Sequence, residues 1–383
     1  MSRSTTSWGA ALLISVLSLL GSSAASRAGA SGKIRTYYIA ADEVTWDYVP
    51  SGVDEIAGRP FADTGFFQKA PPRPVGTAYL KALYREYTDS TFRTLKPRPP
   101  QWEHLGFLGP VIHAEVGDTI RVVFRNNAHH PFSVHPHSVF YKKDSEGALY
   151  NDGTADADKT DDAVPPGGTH VYIWPVPERA GPGPGDRSSV MWMYHSHTDE
   201  VRDINTGLLG VIIVTARGRA RPDGTPMDVD RELVTSFIQV HEENSWYAEQ
   251  NLPATLEQDG PIPSPRIPQM LYPYFVTFSV NGFARGTLPL RALTVRNGER
   301  VRWYVFGSTN DFDVHTPHWH GNTVLINHMR TDVGFVAPMG MVIADMVPDN
   351  DGTWLLHCHV SFHLVAGMQA RYAVVDKGSV RTE

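Results

Sequence analysis

His357-Cys358-His359-Val360-Ser361-Phe362-His363-Leu364-Val365-Ala366-Gly367-Met368 places two histidines around one cysteine, then a further histidine and a methionine downstream. Successive side chains of a strand point to opposite faces. If the chain entering this stretch is a strand, Cys358 faces one way and His357 and His359 face the other. A weaker copy lies upstream. Met191 to His197 (MWMYHSH), followed by Gly207-Leu208-Leu209-Gly210, pairs with Gly352 to His359 (GTWLLHCH), followed by Ala366-Gly367-Met368. Two more pairs lie at offsets near 182: Ala114 to Asp118 with Val295 to Glu299, and His135-Pro136-His137 with His318-Trp319-His320. An internal repeat of this kind means two similar domains.

Both copies read as all-β. Thr119 to Phe124 (TIRVVF), Thr169 to Trp174 (THVYIW) and Glu299 to Phe306 (ERVRWYVF) alternate, and no stretch carries a long helical apolar period. Turn signals such as Asn126-Asn127 and Pro165-Pro166-Gly167-Gly168 separate the runs. Residues 31–216 form the first expected domain and 231–377 the second. The polar, unpatterned 217–230 is the linker and 378–383 a tail. Residues 1–30 carry Arg3, the apolar run Gly9 to Leu20 and then small residues, which reads as a signal peptide; the alternative is an N-terminal anchor. The mature protein is expected to be secreted or periplasmic, with no stable membrane span. Lys+Arg 34 against Asp+Glu 41 argues against a nucleic-acid partner. One cysteine leaves no intramolecular disulfide, although an exported chain could use them.

Ten of the 17 histidines fall in four clusters. Four pairs at matching positions of a repeat point to metal rather than to separate core or surface histidines. Two imidazoles, a thiolate and a weak thioether, supplied by His315, Cys358, His363 and Met368, make a blue-copper electron-transfer set. The other eight, His135, His137, His195, His197, His318, His320, His357 and His359, are all imidazole. Zinc normally stops at four ligands, whereas four pairs suit three coppers. Cys358 would connect the two sites through one backbone step on each side, placing them about 10–15 Å apart.

These motifs (H-x-H, H-x-H, H-x-x-H-x-H and H-C-H-x-x-x-H-x-x-x-x-M) resemble those of the multicopper oxidases. Further stretches, including Thr45-Trp46-Asp47-Tyr48, Leu105 to Pro110, Glu146 to Tyr150 and Glu243 to Tyr247, resemble the ceruloplasmin and hephaestin branch, as its first and last domains joined directly. That is also the plan of two-domain laccases. The resemblance implies two tandem cupredoxin-like Greek-key β-sandwich domains, four coppers per chain, and one-electron oxidation of a donor coupled to reduction of O2 to water. By the repeat, Ser196 stands where Cys358 stands and Val201 where His363 stands, so one blue site per chain is expected, in the second domain. The resemblance to six-domain rings further implies a homotrimer with each trinuclear site shared between chains.

For the donor, the family's iron-binding positions hold Phe362, Phe278 and Pro273, with Asp311 the one acid retained. Iron wants oxygen ligands, so a phenol or aromatic amine is the first expectation and ferroxidase activity the second; both phenylalanines could also be core. Met339, Met341 and Met346 raise Cu⁺ as a donor but suit core packing. Copper storage without turnover is the reading from another class. Asp152 matches the family's acid after the first histidine pair, as a proton relay or as a turn residue. Tyr141 is placed to donate an electron or merely to pack. Asp158, Asp161, Asp162 and the Lys143 carbonyl match a calcium site, against a plain solvated loop.

Overall fold

The computed structural model describes residues 32–61, 76–251, 276–308 and 313–378. Residues 1–30, the expected signal peptide, Asp311, Pro273 and most of the expected tail lie outside the described residues. In the first half, β1 (Ile34–Asp47), β4 (Ala78–Tyr87), β6 (Thr119–Asn126) and β8 (Thr169–Pro175) form one sheet in the order β4-β1-β6-β8. A second sheet, β5-β10-β9-β7, contains β5 (Ile112–Glu115), β7 (His135–Pro136), β9 (Ser189–His195) and β10 (Leu209–Thr215). Val53–Asp54 (β2) and Arg59–Pro60 (β3) make a small separate ladder.

The second half repeats the plan. One sheet, β12-β11-β14-β18-β16-β17, contains β11 (Arg231–His241), β12 (Val276–Val280), β14 (Val301–Ser308), β16 (Val324–Ile326), β17 (Met329–Thr331) and β18 (Met341–Met346). The other, β13-β20-β19-β15, contains β13 (Thr294–Arg296), β15 (Pro317–Trp319), β19 (Gly352–Cys358) and β20 (Gln369–Val375). The parallel pairings recur as well: β1 with β6 and β5 with β10 in the first half, β11 with β14 and β13 with β20 in the second. The fold is two tandem cupredoxin-like β-sandwiches, as expected.

Strand alternation builds three apolar layers. Trp192 and Tyr194 of β9 and Ile212 and Val214 of β10 turn into the first half's core. Leu233, Phe237, Trp303, Val305, Leu356 and Cys358 turn into the second. The opposite faces of β9, β10, β11 and β14 meet each other. Met191, Met193, Val211 and Ile213 pack there against Val234, Ile238, Val240, Tyr304 and Phe306. Each such fully buried side chain contributes about 1.5–3 kcal/mol. Polar groups cross the same seam: His113 Nε2 lies 3.0 Å from Glu232, and Ser189 Oγ 2.7 Å from Tyr304 OH. Within the expected linker, Ala220 bridges to Pro226 in a short turn.

Candidate metal centres

The Cys358 site is built from three elements. The extended segment before β15 brings His315, the end of β19 brings Cys358, and the helix Ser361–Ala366 brings His363. His315 Nδ1 lies 3.9 Å and His363 Nδ1 3.5 Å from Cys358 Sγ, and the Thr316 N–H donates to that sulfur at 3.4 Å. Gly367 ends the helix at φ 115, in the left-handed region open to glycine. The turn lets Met368 N–H donate to the His363 carbonyl at 3.0 Å, and Met368 is fully buried in the same core. Burial, then repulsion from His363, pushes the His315 imidazole down to about 3, and burial pushes the Cys358 thiol up. Protons are thus disfavoured on both imidazoles, while a soft cation would deprotonate the thiol. The buried, convergent N, N and S atoms fit a copper ion.

The eight remaining histidines form two quartets. His135 pairs with His195 across β7 and β9, and His318 with His357 across β15 and β19. His137 and His195 approach Nε2 to Nε2 at 3.0 Å, as do His320 and His357. The outer nitrogens are tied to backbone carbonyls. His135 Nδ1 reaches Glu146 O at 2.6 Å, His195 Nδ1 reaches Ser196 O at 3.0 Å, His318 Nδ1 reaches Asp332 O at 3.0 Å and His357 Nδ1 reaches Cys358 O at 2.9 Å. A carbonyl only accepts, so these Nδ1 atoms carry the proton and Nε2 offers its lone pair inward, the tautomer a metal needs. Burial foremost pushes His195 down to about 3 and His137 to about 4. Close lone-pair nitrogens kept free of protons fit metal binding.

Within each quartet the rings in contact have centroids 4.6–5.7 Å apart, and no ring contact or hydrogen bond joins one quartet to the other among the described residues. Layering explains this. His357 and His359 project from the outer face of β19, because Leu356 and Cys358 fill its inner face. The first half packs on the opposite sheet of that sandwich, through β11 and β14. Facing sheets are about 10 Å apart, so the second half's own core stands between the quartets of one chain.

In the first half, one of the counterpart residues differs from those read off the sequence. The helix Glu200–Thr206 ends at Gly207, φ 119, whose N–H bonds to Asp203 O and Ile204 O as that of Gly367 bonds to His363 O and Leu364 O. Asp203, not Val201, therefore stands opposite His363, and Leu208 stands opposite Met368. Two extra residues between His197 and Gly207 cause the shift. Ser196 does stand opposite Cys358: it accepts from Ser133 N–H at 3.1 Å where Cys358 accepts from Thr316. Burial pushes the Asp203 carboxyl up to about 6.

Among the other candidates, Tyr141 lies edge-on to His135 at 5.8 Å. Asp152 is not brought to the histidines. It pairs with Lys143 at 3.0 Å and Lys159 at 2.9 Å, and hydrogen bonds from Lys159, Thr154 and Lys143 hold its carboxyl well below the usual range. Asp161 accepts from Gly147 N–H, its other oxygen is buried without a partner, and burial pushes Asp161 and Asp162 up to about 6. Asp158 is exposed on the adjacent turn Asp156–Asp158, and the Lys143 ammonium is engaged by Glu146 and Tyr150. Phe278 is buried 5.1 Å from His363, and half-exposed Phe362 meets Phe278 edge-on at 5.3 Å. Two acids escaped the sequence reading. Asp313 accepts from His363 Nε2 at 3.3 Å, and Glu200 lies 3.4 Å from His197 Nε2. Asp313 sits two before His315 in extended chain, and Glu200 three after His197 at a helix start, spacings that could have flagged both.

No helix among the described residues is long and apolar enough to cross a membrane. Sequence models described as multicopper oxidase match residues 104–219 and 264–378, together more than half of the chain. The chain is 41% identical over 377 residues to ferroxidase HEPHL1 of Mus musculus, covering 96% of this chain and 31% of that protein. It is 40% identical to hephaestin of Homo sapiens (90% and 29% covered) and 36% identical to human ceruloplasmin (90% and 32%). It thus spans about a third of the length of these curated relatives. Among solved structures, a multicopper oxidase (17% identity, TM-score 0.55, 91% of this chain and 93% of that one) shares the fold. So does a copper nitrite reductase from Nitrosomonas europaea (15%, 0.56, 91% and 96%). With paired sandwiches, a Cys358 site and two quartets that fit copper, and these matches in hand, the chain belongs to the multicopper oxidase family.

Proposed function

We propose that the protein is a copper-dependent oxidase that takes electrons singly from a donor at the Cys358 site and passes them to O2 at a site made from both histidine quartets. The observation that carries this is the strand end His357-Cys358-His359, whose sulfur faces the core and whose imidazoles face out. Bound copper supplies the one-electron steps at the first site and the reduction of O2 to water at the second. Cys358 and its two peptide bonds supply the covalent route between them, and the carbonyl-tied Nδ1 atoms keep the quartets in the binding tautomer. Tyr141 beside His135 and Glu200 beside His197 are the groups closest to hand for an electron and a proton. Asp152, bound to two ammonium groups, is less suited to proton relay. Copper storage alone would not need this route.

For the donor, Fe²⁺ ranks first, reversing the order drawn from the sequence. Relatives at 41% and 42% identity are ferroxidases by name, and Asp313 offers a half-exposed carboxylate on His363. A phenol or aromatic amine is the second reading, favoured by Phe362 and Phe278 leading to the same imidazole. Oxygen uptake with Fe²⁺, 2,6-dimethoxyphenol and Cu⁺ decides between them: the iron reading fails if the phenol gives the higher kcat/KM.

The finer proposals are four coppers per chain and calcium held at Lys143 O, Asp158, Asp161 and Asp162. The chain would be secreted or periplasmic and act as a homotrimer. The trimer rests on the separation of the quartets: one chain's first quartet would meet the next chain's second in a ring that closes by threefold rotation. The absence of a thermal shift between calcium and chelator would refute the calcium site.

A further inference from the structure

We propose that Asp203 is the positioning residue of the first histidine quartet, holding by hydrogen bonds the same three elements that the Cys358 site ties with a metal in the second half. The inference rests on the reading of the quartets as copper ligands. In the second half the elements are the segment before β15, the end of β19 and the helix carrying His363. Their counterparts are the segment before β7, the end of β9 and the helix Glu200–Thr206; the strand end and the approach to the helix meet one carboxylate of that helix directly, and the segment before β7 joins through Ser196 Oγ. Asp203 is fully buried. Its Oδ2 accepts from Ser196 Oγ at 2.6 Å, Thr198 N–H at 3.0 Å and Asp199 N–H at 3.0 Å, and its Oδ1 from Trp246 Nε1 at 2.8 Å.

Those donors bracket the ligands. Ser196 lies between His195 and His197, and Thr198 follows His197. The carbonyl of Ser196 receives the His195 Nδ1 proton, so fixing Ser196 fixes that ring. Ser196 Oγ in turn accepts from Ser133, whose own Oγ accepts from His197 N–H at 3.0 Å. An amide cannot replace the acid: with donors on both oxygens, asparagine would set its NH2 against at least one of them. Partners that orient metal ligands typically change metal affinity or activity by about 10–100-fold when removed.

Copper content, blue absorption and O2 uptake of the whole chain test this in Asp203→Ala and Asp203→Asn. Blue absorption from Cys358 should stay at the wild-type level, and the donor KM should stay within about twofold, because the donor docks in the other half. Copper beyond the Cys358 site should bind at least about tenfold more weakly, and kcat should fall about 10–100-fold. Full copper loading with wild-type turnover would overturn the proposal, and so would a parallel loss of the blue band. If the variants do not fold, hydrogen exchange on the wild-type protein decides. On removal of copper, the Thr316 amide should exchange at least about tenfold faster, while those of Thr198 and Asp199 change less than about twofold. Equal loosening would refute a metal-free clasp. A wild-type chain that binds copper only at Cys358 would instead refute the copper reading of the quartets.

Discussion

If the quartets belong to one site but cannot meet within one chain, two inactive variants should restore each other. Let one variant lack His135 and His137 and the other lack His318 and His320. Each keeps Cys358, yet each breaks every site when expressed alone, because every site needs one quartet of each kind. In a head-to-tail ring, a site is whole only where a chain with an intact first quartet meets a neighbour with an intact second. For random assembly at equal amounts that chance is one half times one half, so co-expression should recover about a quarter of wild-type activity per chain. At other ratios recovery should follow x(1−x), where x is the fraction of one variant, and this form does not depend on ring size. The assay is O2 uptake per chain across mixing ratios, with native mass measured alongside. No recovery at any ratio, in particles that do contain both variants, would refute the reasoning. A fully active wild-type monomer would also refute it, by requiring the quartets to meet within one chain.

Other perturbations separate the sites from the scaffold. Cys358→Ser should abolish the blue absorption and oxidation of every donor while the eight histidines still load copper; more than trace turnover would remove Cys358 from the electron route. Asp313→Asn should raise the potential of the Cys358 site by about tens of millivolts, because a charged acceptor on the far nitrogen of His363 raises the basicity of that ligand, and it should raise KM for Fe²⁺ more than for a phenol. An unchanged potential in a redox titration would count against it. Lys81 is fully buried, with Nζ 3.0 and 2.9 Å from the two Glu242 oxygens and 2.7 Å from Asn205 O. Lys81→Met should cost about 3–5 kcal/mol in denaturant unfolding by stranding the carboxylate, and Lys81→Met with Glu242→Leu should recover most of that. A double variant no better than the single would show that the pair is not the cause.

Much of this was legible in the chain because alternation and ligand spacing are local. The faces of Cys358, His357 and His359 follow from strand geometry alone, and the correspondence of His135 and His137 with His318 and His320 follows from the repeat. What was not legible depends on insertions and on distant contacts. Counting from His197 gave Val201, because two extra residues before Gly207 do not show in the spacing of the histidines; the two capping glycines are the better anchors. Asp152 matches the family's acid after the first histidine pair, and only the folded loop brings Lys143 and Lys159 onto it. The separation of the quartets depends on which sheet of the second sandwich meets the first, which no local pattern encodes. Phe278 and Phe362 do flank His363, yet the relatives' names weigh against the donor drawn from them.

The segment just after β11 gives the architecture an asymmetry of inheritance. Tyr247 fills a place in the first half's core and donates to Glu43, and the Asn251 side chain bonds both the N–H and the carbonyl of Leu80 at 2.7 and 3.0 Å. The first sandwich is thus finished by amino acids encoded after the start of the second. A gene cut at residues 217–230 would yield a leading module with a hole in its interior, whereas a cut beyond 251 would strip β11 from the module that follows. Neither module can be passed on alone without loss, so duplication and shuffling would be expected to transmit such sandwiches as adjoining pairs.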